Sequence, residues 1–320
     1  MNRTNYMAQH VEQYLALRRA FGFQLNIAGQ QLQHFARFAD RTAGGQPLTQ
    51  ELALRWAQSS STGKQTTAAR RLLILRPFTR YLRTLEPLTE IPPNRILGPA
   101  QYRHIPHIYT DREIRTLLEA AFSLRPRGGL RARSFGTYLR LLSCTGMRPA
   151  EPLRLTCADV DFQSDTLTVR QTKFSKSRIV VLHPTATKAL QEYARVRDSF
   201  VKYPRSPAFF LSDDGSPFHH KKAIRAFRYL RRRLGWVRPG CRLPRLYDMR
   251  HTFVCRRLLA WHRDGVDVHV VMPALSTYLG HVKITDTYWY VTAIPELMNT
   301  VSKRFERFFC GVKEGHHELD

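Results

Sequence analysis

Residues 160–182, VDFQSDTLTVRQTKFSKSRIVVL, contain three short runs that are rich in β-branched and other apolar side chains. Residues that favour turns, among them Ser and Asp, separate the runs. Runs this short, joined by connections of a few residues, pair as antiparallel neighbours. We therefore predict a small antiparallel sheet. Its three strands are residues 160–162, 166–170 and 179–182, and the turns between them are at residues 164–165 and 175–177.

The chain on both sides of this segment has the periodicity of helices, because apolar side chains recur every three to four residues. Thr110 and Glu113 form the pattern of a capping box, and Pro77 is expected to kink or restart the helix in which it falls. The fold class is therefore mainly α with a small antiparallel β-sheet. The predicted helices are two within residues 4–38 that are separated near Gly22, one after Thr49, one at residues 66–85, one after Thr110, and those at residues 138–144, 186–196, 221–234, 247–261, 268–279, 285–291 and 296–309.

The prolines indicate where the chain divides. Five of them lie between Glu86 and Pro106, a density that neither helix nor strand tolerates and that suits an extended connector. A chain of 320 residues is long enough for two domains. We predict a helical domain over residues 1–86, a proline-rich linker over residues 87–106 and an α+β domain over residues 107–320.

The chain is strongly basic, with 51 Lys and Arg residues against 25 Asp and Glu and a net charge of +26. This charge indicates a polyanionic partner, foremost nucleic acid. A hydrophobic content of 43% excludes a disordered basic tail, so we expect the charge on a folded surface. Five cysteines without a C-x-x-C pair, and no apolar run that suits a membrane helix or a secretory signal, predict a cytoplasmic protein associated with the bacterial nucleoid.

Four separated segments carry side chains suited to phosphate chemistry, and the first is TGMRPAEPLRL, residues 145–155. Pro149 steers Arg148 out of the α region, so we expect a helix to begin just after the arginine. A helix N-terminus and a guanidinium group both favour an anion, and Glu151 is placed to brace the arginine or the first turn. A surface arginine paired with Glu151 is the alternative.

The second segment is TKFSKSRIVVL, residues 172–182, with Lys173 at a hairpin turn. Its ammonium group can act as a point charge or, beside other cations, as a proton donor with a lowered pKa. A solvated basic turn is the alternative.

The third segment is LYDMRHTF, residues 246–253, in which Tyr247, Arg250 and His251 share one helix face at positions i, i+3 and i+4. Three hydrogen-bonding groups therefore converge.

The fourth segment is LSTYLGH followed by VKITDTYWYV, residues 275–291. Gly280 is typical of a helix stop and would present His281, while Tyr290 follows nine residues later. A half-buried structural histidine is the alternative for His281 by itself.

Together, the four segments resemble the active site of the tyrosine recombinase, or phage integrase, family. The match consists of five parts in order, each weak alone and specific in combination. The resemblance implies a core-binding domain that contacts DNA, followed by an α+β catalytic domain of tyrosine-recombinase type. The wording LSTYLGH is more similar to transposon-type integrases of the family than to its chromosome-dimer resolvases.

The resemblance also implies roles for five residues. These are Tyr290 as the nucleophile, Arg148 and Arg250 as the phosphate clamp, Lys173 as the general acid, and His281 as a further partner of the phosphate or the nucleophile. Lys176 and Arg178 match later basic residues of the family's hairpin, and no role is assigned to them. The expected reaction forms a 3′-phosphotyrosyl link and needs no metal or nucleotide cofactor.

The sequence departs from the family pattern at Tyr247, where the family usually has histidine. A phenol can still donate a hydrogen bond to a phosphate oxygen, but with a pKa of about 10 it is a poor proton shuttle near neutrality. We assign Tyr247 to phosphate contact and leave His251 to pack the helix or to support its neighbours. Tyr288 and Tyr290 are about 200° apart around a helix, so only one can face the phosphate.

The expected partners also follow from the resemblance. They are double-stranded DNA, three further copies of the chain in a homotetramer on paired recombination sites, and accessory DNA-bending or element-encoded proteins, with no membrane. The biological role would be the integration or excision of a mobile element. The helix at residues 296–309 either packs on its own domain or docks into a neighbouring subunit.

Three other functions remain open at this point. A metal-dependent nuclease would need a carboxylate or histidine cluster, for which Asp213-Asp214, His219-His220 and His316-His317 are the local candidates. A type IB topoisomerase shares the tyrosine, arginine and lysine chemistry. A DNA-binding accessory protein with a decayed active site is the non-enzymatic alternative.

Overall fold

The computed structural model describes residues 5–100, 106–126, 128–170, 177–237 and 243–293. The chain forms two compact units, Met1–His104 and Ile105–Asp320. Within the predicted linker, the backbone N–H of Glu90 donates to the carbonyl of Leu48, and its carboxylate accepts from the N–H of Gln50 at 2.6 Å. This part of the proline-rich segment is therefore bound to the first unit.

The first unit is helical and packs around Trp56, which is fully buried. The Trp56 ring lies edge-on to Phe35 at 5.1 Å between centroids, and its Nε1 donates to Nδ1 of His34 at 3.0 Å. Thr49 caps its helix as predicted, because its hydroxyl accepts the N–H of Leu52. The helices are α1 (Tyr6–Ala20), α2 (Asn26–Ala43), α3 (Gln50–Gln58) and α4 (Gln65–Leu85).

Helix α4 continues through Pro77, so the prediction that the helix restarts there is wrong. Pro77 and Leu73, the residue four positions earlier, both lie on the exposed side of the helix. The carbonyl that proline leaves without a partner can therefore bind water, which is how helices tolerate an internal proline.

The second unit contains seven further α-helices among its described residues and the three-stranded sheet. The sheet is antiparallel in the order β1-β2-β3, with Thr166 opposite Val181 and Val169 opposite Arg178, so the sequence prediction of the sheet is confirmed. The capping box of Thr110 and Glu113 is present. The elements are α5 (Asp111–Phe122), α6 (Leu130–Thr145), β1 (Val160–Asp161), β2 (Thr166–Val169), β3 (Arg178–Val181), α7 (Pro184–Phe200), α8 (His220–Arg233), α9 (Asp248–Arg263), α10 (Val268–Leu279) and α11 (Thr285–Ala293).

Helix α6 is the centre of the second unit and packs against α5, α7 and α9. A separate apolar cluster joins α9, α10 and α11, and it includes Leu258, Met272, Leu279 and Tyr290. The element α11 is thereby held against α9 and α10, next to the point where α6 ends. The predicted helix at residues 296–309 lies outside the described residues.

Among the residues that the structure describes, no helix is both long enough and apolar enough to cross a membrane.

Gly146 ends α6 and has the left-handed φ of +61°. A Cβ at this position would collide with the ring of Phe253, whereas a Cβ on Gly265, at φ +72°, would meet nothing within 4 Å. We expect Gly265→Ala to reduce the free energy of unfolding by about 1–2 kcal/mol through backbone conformation alone. Gly146→Ala adds the collision, at a further cost of about 1–3 kcal/mol. Urea unfolding of both variants measures the difference, and equal losses would contradict this account.

Candidate active site

The C-terminal end of α10 is bound by three arginine side chains from distant parts of the chain. The last carbonyl groups of a helix have no partner within it, and they carry partial negative charge. Each of three consecutive carbonyls here accepts a hydrogen bond from a guanidinium group. The pairs are Nε of Arg178 to Tyr278 at 2.9 Å, Nη2 of Arg250 to Leu279 at 2.7 Å, and Nη2 of Arg148 to Gly280 at 2.8 Å.

Glu151 connects two of these arginines. Its Oε1 accepts Nη1 of Arg148 at 2.9 Å and Nη1 of Arg178 at 3.0 Å, while Oε2 accepts Nη2 of Arg178 at 2.7 Å and the backbone N–H of Arg148 at 2.8 Å. The side chain is only 7% exposed. Burial alone would raise the pKa of this carboxyl, but the hydrogen bonds and charge of Arg178, with the bonds from Arg148, hold the pKa below its ordinary value. The carboxylate therefore fixes both guanidinium groups.

No α-helix begins after Arg148, so that prediction is wrong. The chain makes a turn, closed by the N–H of Glu151 on the carbonyl of Arg148 at 2.8 Å, and then a three-residue 3-10 helix at Pro152–Arg154. Pro152 has no N–H with which to extend an α-helix back to Arg148. The arginine is thus positioned by Glu151 and by the Gly280 carbonyl instead of by a helix N-terminus.

Arg250 is completely buried and lies between α6 and α10. Its Nη1 donates to the carbonyl of Gly146 at 2.9 Å, in addition to the bond to Leu279. Burial and, secondarily, the charge of Arg148 lower the pKa of Arg250 to about 10, so the group is still charged at pH 7. Its Nε–H is also buried and donates to no described acceptor.

His281 follows Gly280, whose left-handed φ of +67° turns the chain at the end of α10, as predicted from the sequence. Burial, followed by the charges of Arg250 and Arg148, lowers the pKa of His281 to about 4. The imidazole is therefore neutral at pH 7. Its Nδ1 lies 2.7 Å from Oγ1 of Thr287 on α11.

Tyr290 is on α11 and is 3% exposed. Its ring lies 5.3 Å from that of His251. Burial raises the pKa of Tyr290, and the charge of Arg250 offsets only part of this effect, so the phenol is protonated. Tyr288 faces a different neighbour, with its hydroxyl 3.3 Å from Nδ1 of His269. The structure thus brings Tyr290, and not Tyr288, to Arg250 within one chain.

Tyr247 is the cap residue before α9 and has helical dihedral angles, and its ring lies beside that of His251 one turn later, as the predicted shared face requires. Arg250 points into the interior, and His251 packs against the rings of Tyr247 at 5.1 Å, Trp289 at 5.8 Å and Tyr290. Tyr247 is 39% exposed. It lines a cavity of about 880 Å³ that also includes the side chain of Arg148.

The wall of this cavity is strongly basic. Arginines from α8 and from the segment before α9 line it, together with apolar side chains such as Ile224 and Phe227. A groove of this charge, beside the Arg148 side chain, suits the phosphates of a nucleic acid backbone. The arginines are Arg148, Arg228, Arg231, Arg232 and Arg245.

Lys173, the predicted general acid, lies outside the described residues, as do Lys176 and the pair His316-His317. Sequence reasoning missed the roles of Arg178 and Thr287. Arg178 was matched to the family's hairpin without a function, and no local pattern reveals that its partner is Glu151, 27 residues away. Thr287 had one available signal, its position three residues before Tyr290 on the same helix.

The carboxylates considered for a metal site support a turn. Oδ1 of Asp213 accepts the backbone N–H of Arg131 at 3.0 Å, and Oδ1 of Asp214 accepts the N–H and hydroxyl of Ser216. In the described part of the chain, no group of three or more His, Cys, Asp or Glu side chains could hold a metal ion.

Comparison with known families matches residues 108–296 to the phage integrase family. The chain belongs to this family. The resemblance found in the four sequence segments is therefore confirmed, together with the mainly α fold class and the tyrosine-type site-specific recombinase activity. The individual roles of the site residues remain predictions.

Two relatives of this phage integrase family member cover between 70% and 93% of its length. A protein of Sinorhizobium fredii named as an integrase/recombinase, y4rB, is 38% identical over 305 residues, which are 93% of this chain and 96% of that protein. Tyrosine recombinase XerC of Chlamydia trachomatis is 29% identical over 224 residues, or 70% of this chain and 66% of the relative.

Two solved structures share the fold. The Tn1549 transposon integrase in complex with a circular intermediate DNA has a TM-score of 0.66 at 15% identity, and it covers 94% of this chain and 99% of its own. The XerH recombinase bound to a palindromic difH substrate has a TM-score of 0.65 at 15% identity, with coverage of 88% and 80%.

The Glu151 carboxylate accepts four hydrogen bonds, so we expect the free energy of unfolding to depend on its ionisation. Because its pKa is lower in the folded chain than the unfolded value of about 4.3, its contribution is complete above that value and is lost as the pH falls through the folded pKa. We expect Glu151→Gln to lower the free energy of unfolding at pH 7 by about 3 kcal/mol, since it breaks a buried ionic network.

Urea unfolding at pH 7 and at successively lower pH values measures this difference, with the exposed Glu192→Gln on α7 as the control. The gap between wild type and Glu151→Gln should narrow below about pH 4.5. A gap of constant size down to pH 3.5 would show that the ionised form is not what stabilises the site.

Proposed function

We propose that this protein cuts and rejoins double-stranded DNA at paired sites, with Tyr290 as the nucleophile, to insert or excise a mobile element. The observation that carries the proposal is the convergence of Arg148, Arg250, His281 and Tyr290 at the end of α10 in one chain. The basic cavity beside Arg148 and the net charge of +26 support DNA as the substrate.

Arg148 and Arg250 bind the non-bridging oxygens of the scissile phosphate. A guanidinium group has five N–H donors. Arg250 uses one N–H of Nη1 for the carbonyl of Gly146 and one N–H of Nη2 for the carbonyl of Leu279. Its Nε–H donates to no described acceptor and is available to phosphate. The two positive charges offset the repulsion between the phosphodiester and an oxygen nucleophile, and they stabilise the charge that develops in the transition state.

Tyr290 attacks the phosphorus atom, releases its phenolic proton to solvent and forms a 3′-phosphotyrosyl bond. The P–O5′ bond breaks at the same phosphorus, and the leaving oxygen takes a proton from Lys173. The phosphodiester energy is kept in the new bond, so a second 5′ hydroxyl can reverse the step on another strand without a metal or nucleotide cofactor. Tyr247 adds a hydrogen bond from the edge of the cavity to a phosphate oxygen.

The nucleophile is covered in the structure. Tyr290 is protonated and packed among α9 and α10, and Arg250 is buried beside it. Reaction therefore requires the Tyr290 side chain to turn out of this packing when DNA occupies the clamp. This release is the step at which substrate binding controls cleavage.

The mobile-element role is drawn from solved structures of similar fold, and the assembly is drawn from the family resemblance of the sequence. The Tn1549 integrase is a transposon protein bound to a circular intermediate DNA, and XerH is bound to its difH substrate. By analogy, this protein acts as a homotetramer on two sites, with the helical unit at residues 1–86 contacting DNA and with accessory DNA-bending proteins assisting.

Replacement of the nucleophile tests the proposal directly. On a nicked suicide substrate, whose released fragment diffuses away, wild-type protein should accumulate a covalent adduct visible on a denaturing gel. Tyr290→Phe should form none, while Tyr288→Phe should form the adduct like wild type, because Tyr288 lies against His269. An adduct with Tyr290→Phe would refute the assignment.

The role of Tyr247 requires a rate measurement. Loss of one hydrogen bond to a charged group costs about 1.5–3 kcal/mol, so we expect Tyr247→Phe to slow single-turnover cleavage by about 10- to 100-fold with little change in DNA affinity. Tyr247→His should recover much of the rate, because imidazole can donate to the same oxygen. Tyr229→Phe on α8, also exposed, is the control. A wild-type rate for Tyr247→Phe would exclude a contribution of the phenol hydroxyl.

A further inference from the structure

Thr287 connects the helix of the proposed nucleophile to His281. Its side chain is fully buried, and its hydroxyl oxygen lies 2.7 Å from Nδ1 of the imidazole. It precedes Tyr290 by three residues on α11, so the two side chains belong to the same side of the helix. Thr287 is therefore the direct contact between α11 and the histidine.

The direction of this hydrogen bond follows from the donors available. Among the described residues, Nδ1 of His281 is the one hydrogen-bond partner of the Thr287 hydroxyl. If the imidazole donated through Nδ1–H, the buried hydroxyl proton would have no acceptor, which costs about 1–3 kcal/mol. The threonine O–H therefore donates, and Nδ1 accepts.

The state of the second ring nitrogen is then determined. Arg148, Arg178 and Arg250 surround the segment that carries His281, and their charges oppose a second proton on the ring. The single proton of the neutral imidazole lies on Nε2, because Nδ1 already accepts. His281 in this form can donate a hydrogen bond to a phosphate oxygen through Nε2–H, and it has no free nitrogen with which to accept a proton.

We propose that Thr287 is a positioning residue that holds His281 in the Nε2–H tautomer, so that His281 serves the phosphate as a hydrogen-bond donor and not Tyr290 as a base. The inference rests on the proposed function and resolves the two roles left open for this histidine. It also makes the tautomer depend on α11, because the bond exists only while the nucleophile's helix is packed beside the end of α10.

The first test determines the tautomer in the wild-type protein. In protein labelled with ¹⁵N-histidine, the two-bond ¹H–¹⁵N correlation pattern distinguishes the two neutral tautomers, and His281→Gln identifies the signals of this ring by their loss. The expected pattern is that of a protonated Nε2 and an accepting Nδ1. A protonated Nδ1 in the wild-type protein would overturn the proposal, whatever the variants do.

The second test measures function with matched variants. Thr287→Val removes the hydroxyl at nearly constant shape, and it should slow single-turnover cleavage of the suicide substrate by about 10- to 100-fold with unchanged DNA affinity. Thr287→Ser, which keeps the hydroxyl, should restore most of the rate. Thr285→Val makes the same chemical change at an exposed position of α11 and is the control.

A double-mutant cycle separates this inference from the function on which it rests. In His281→Gln, the side-chain amide can donate near the Nε2 position, and an amide has no tautomer for Thr287 to select. Thr287→Val should therefore cause no further loss of cleavage rate in that background. Additive losses, or a wild-type rate for Thr287→Val beside a slow His281→Ala, would overturn the inference alone. A wild-type rate for His281→Ala, or an adduct with Tyr290→Phe, would instead refute the proposed function.

Discussion

The free carbonyl groups at the end of α10 hold the site together. Three consecutive carbonyls, those of Tyr278, Leu279 and Gly280, lie where the helix has no N–H groups left to offer, and guanidinium groups from three distant segments satisfy them. Arginine suits this position because it is always charged and has donors in several directions. In the proposed reaction, the clamp is consequently oriented before any phosphate binds, and little reorganisation is needed.

The positive charges of the three arginines are only partly offset by the negative charge of Glu151. Glu151 is the carboxylate that faces the arginines, and its oxygens bind Arg148 and Arg178 but not Arg250. Burial is the main cause that keeps the ring of His281 neutral at pH 7, and the excess of positive charge from Arg250, Arg148 and Arg178, which Asp286 offsets only in part, lowers its pKa further. The same positive charge attracts a phosphate. It therefore contributes both to the lowered pKa of His281 and to the proposed affinity for the substrate.

The sequence predicted what depends on local pattern and missed what depends on distant pairing. The bounds of α10 match the expected residues 268–279, and the three strands lie where the β-branched runs indicated. The helix expected after Arg148 is absent because Pro152 blocks it. The bond between Arg178 and Glu151 joins β3 to a turn, and no periodicity records such a contact. The role of Lys173 stays a prediction.

Tyr290 belongs both to an apolar cluster and to the proposed chemistry. The free energy that burial of its ring contributes is comparable to that of a few hydrogen bonds between the arginines and a phosphate. Exposing a large apolar side chain costs about 1.5–3 kcal/mol. Each hydrogen bond between a charged guanidinium group and a phosphate oxygen contributes about 1.5–3 kcal/mol, so a few of them suffice to offset the release of the ring. A better-packed tyrosine would remain buried on DNA, and a poorly packed one would be exposed without it. The packing of Tyr290 against α9 and α10 therefore sets how strictly cleavage depends on a bound phosphate.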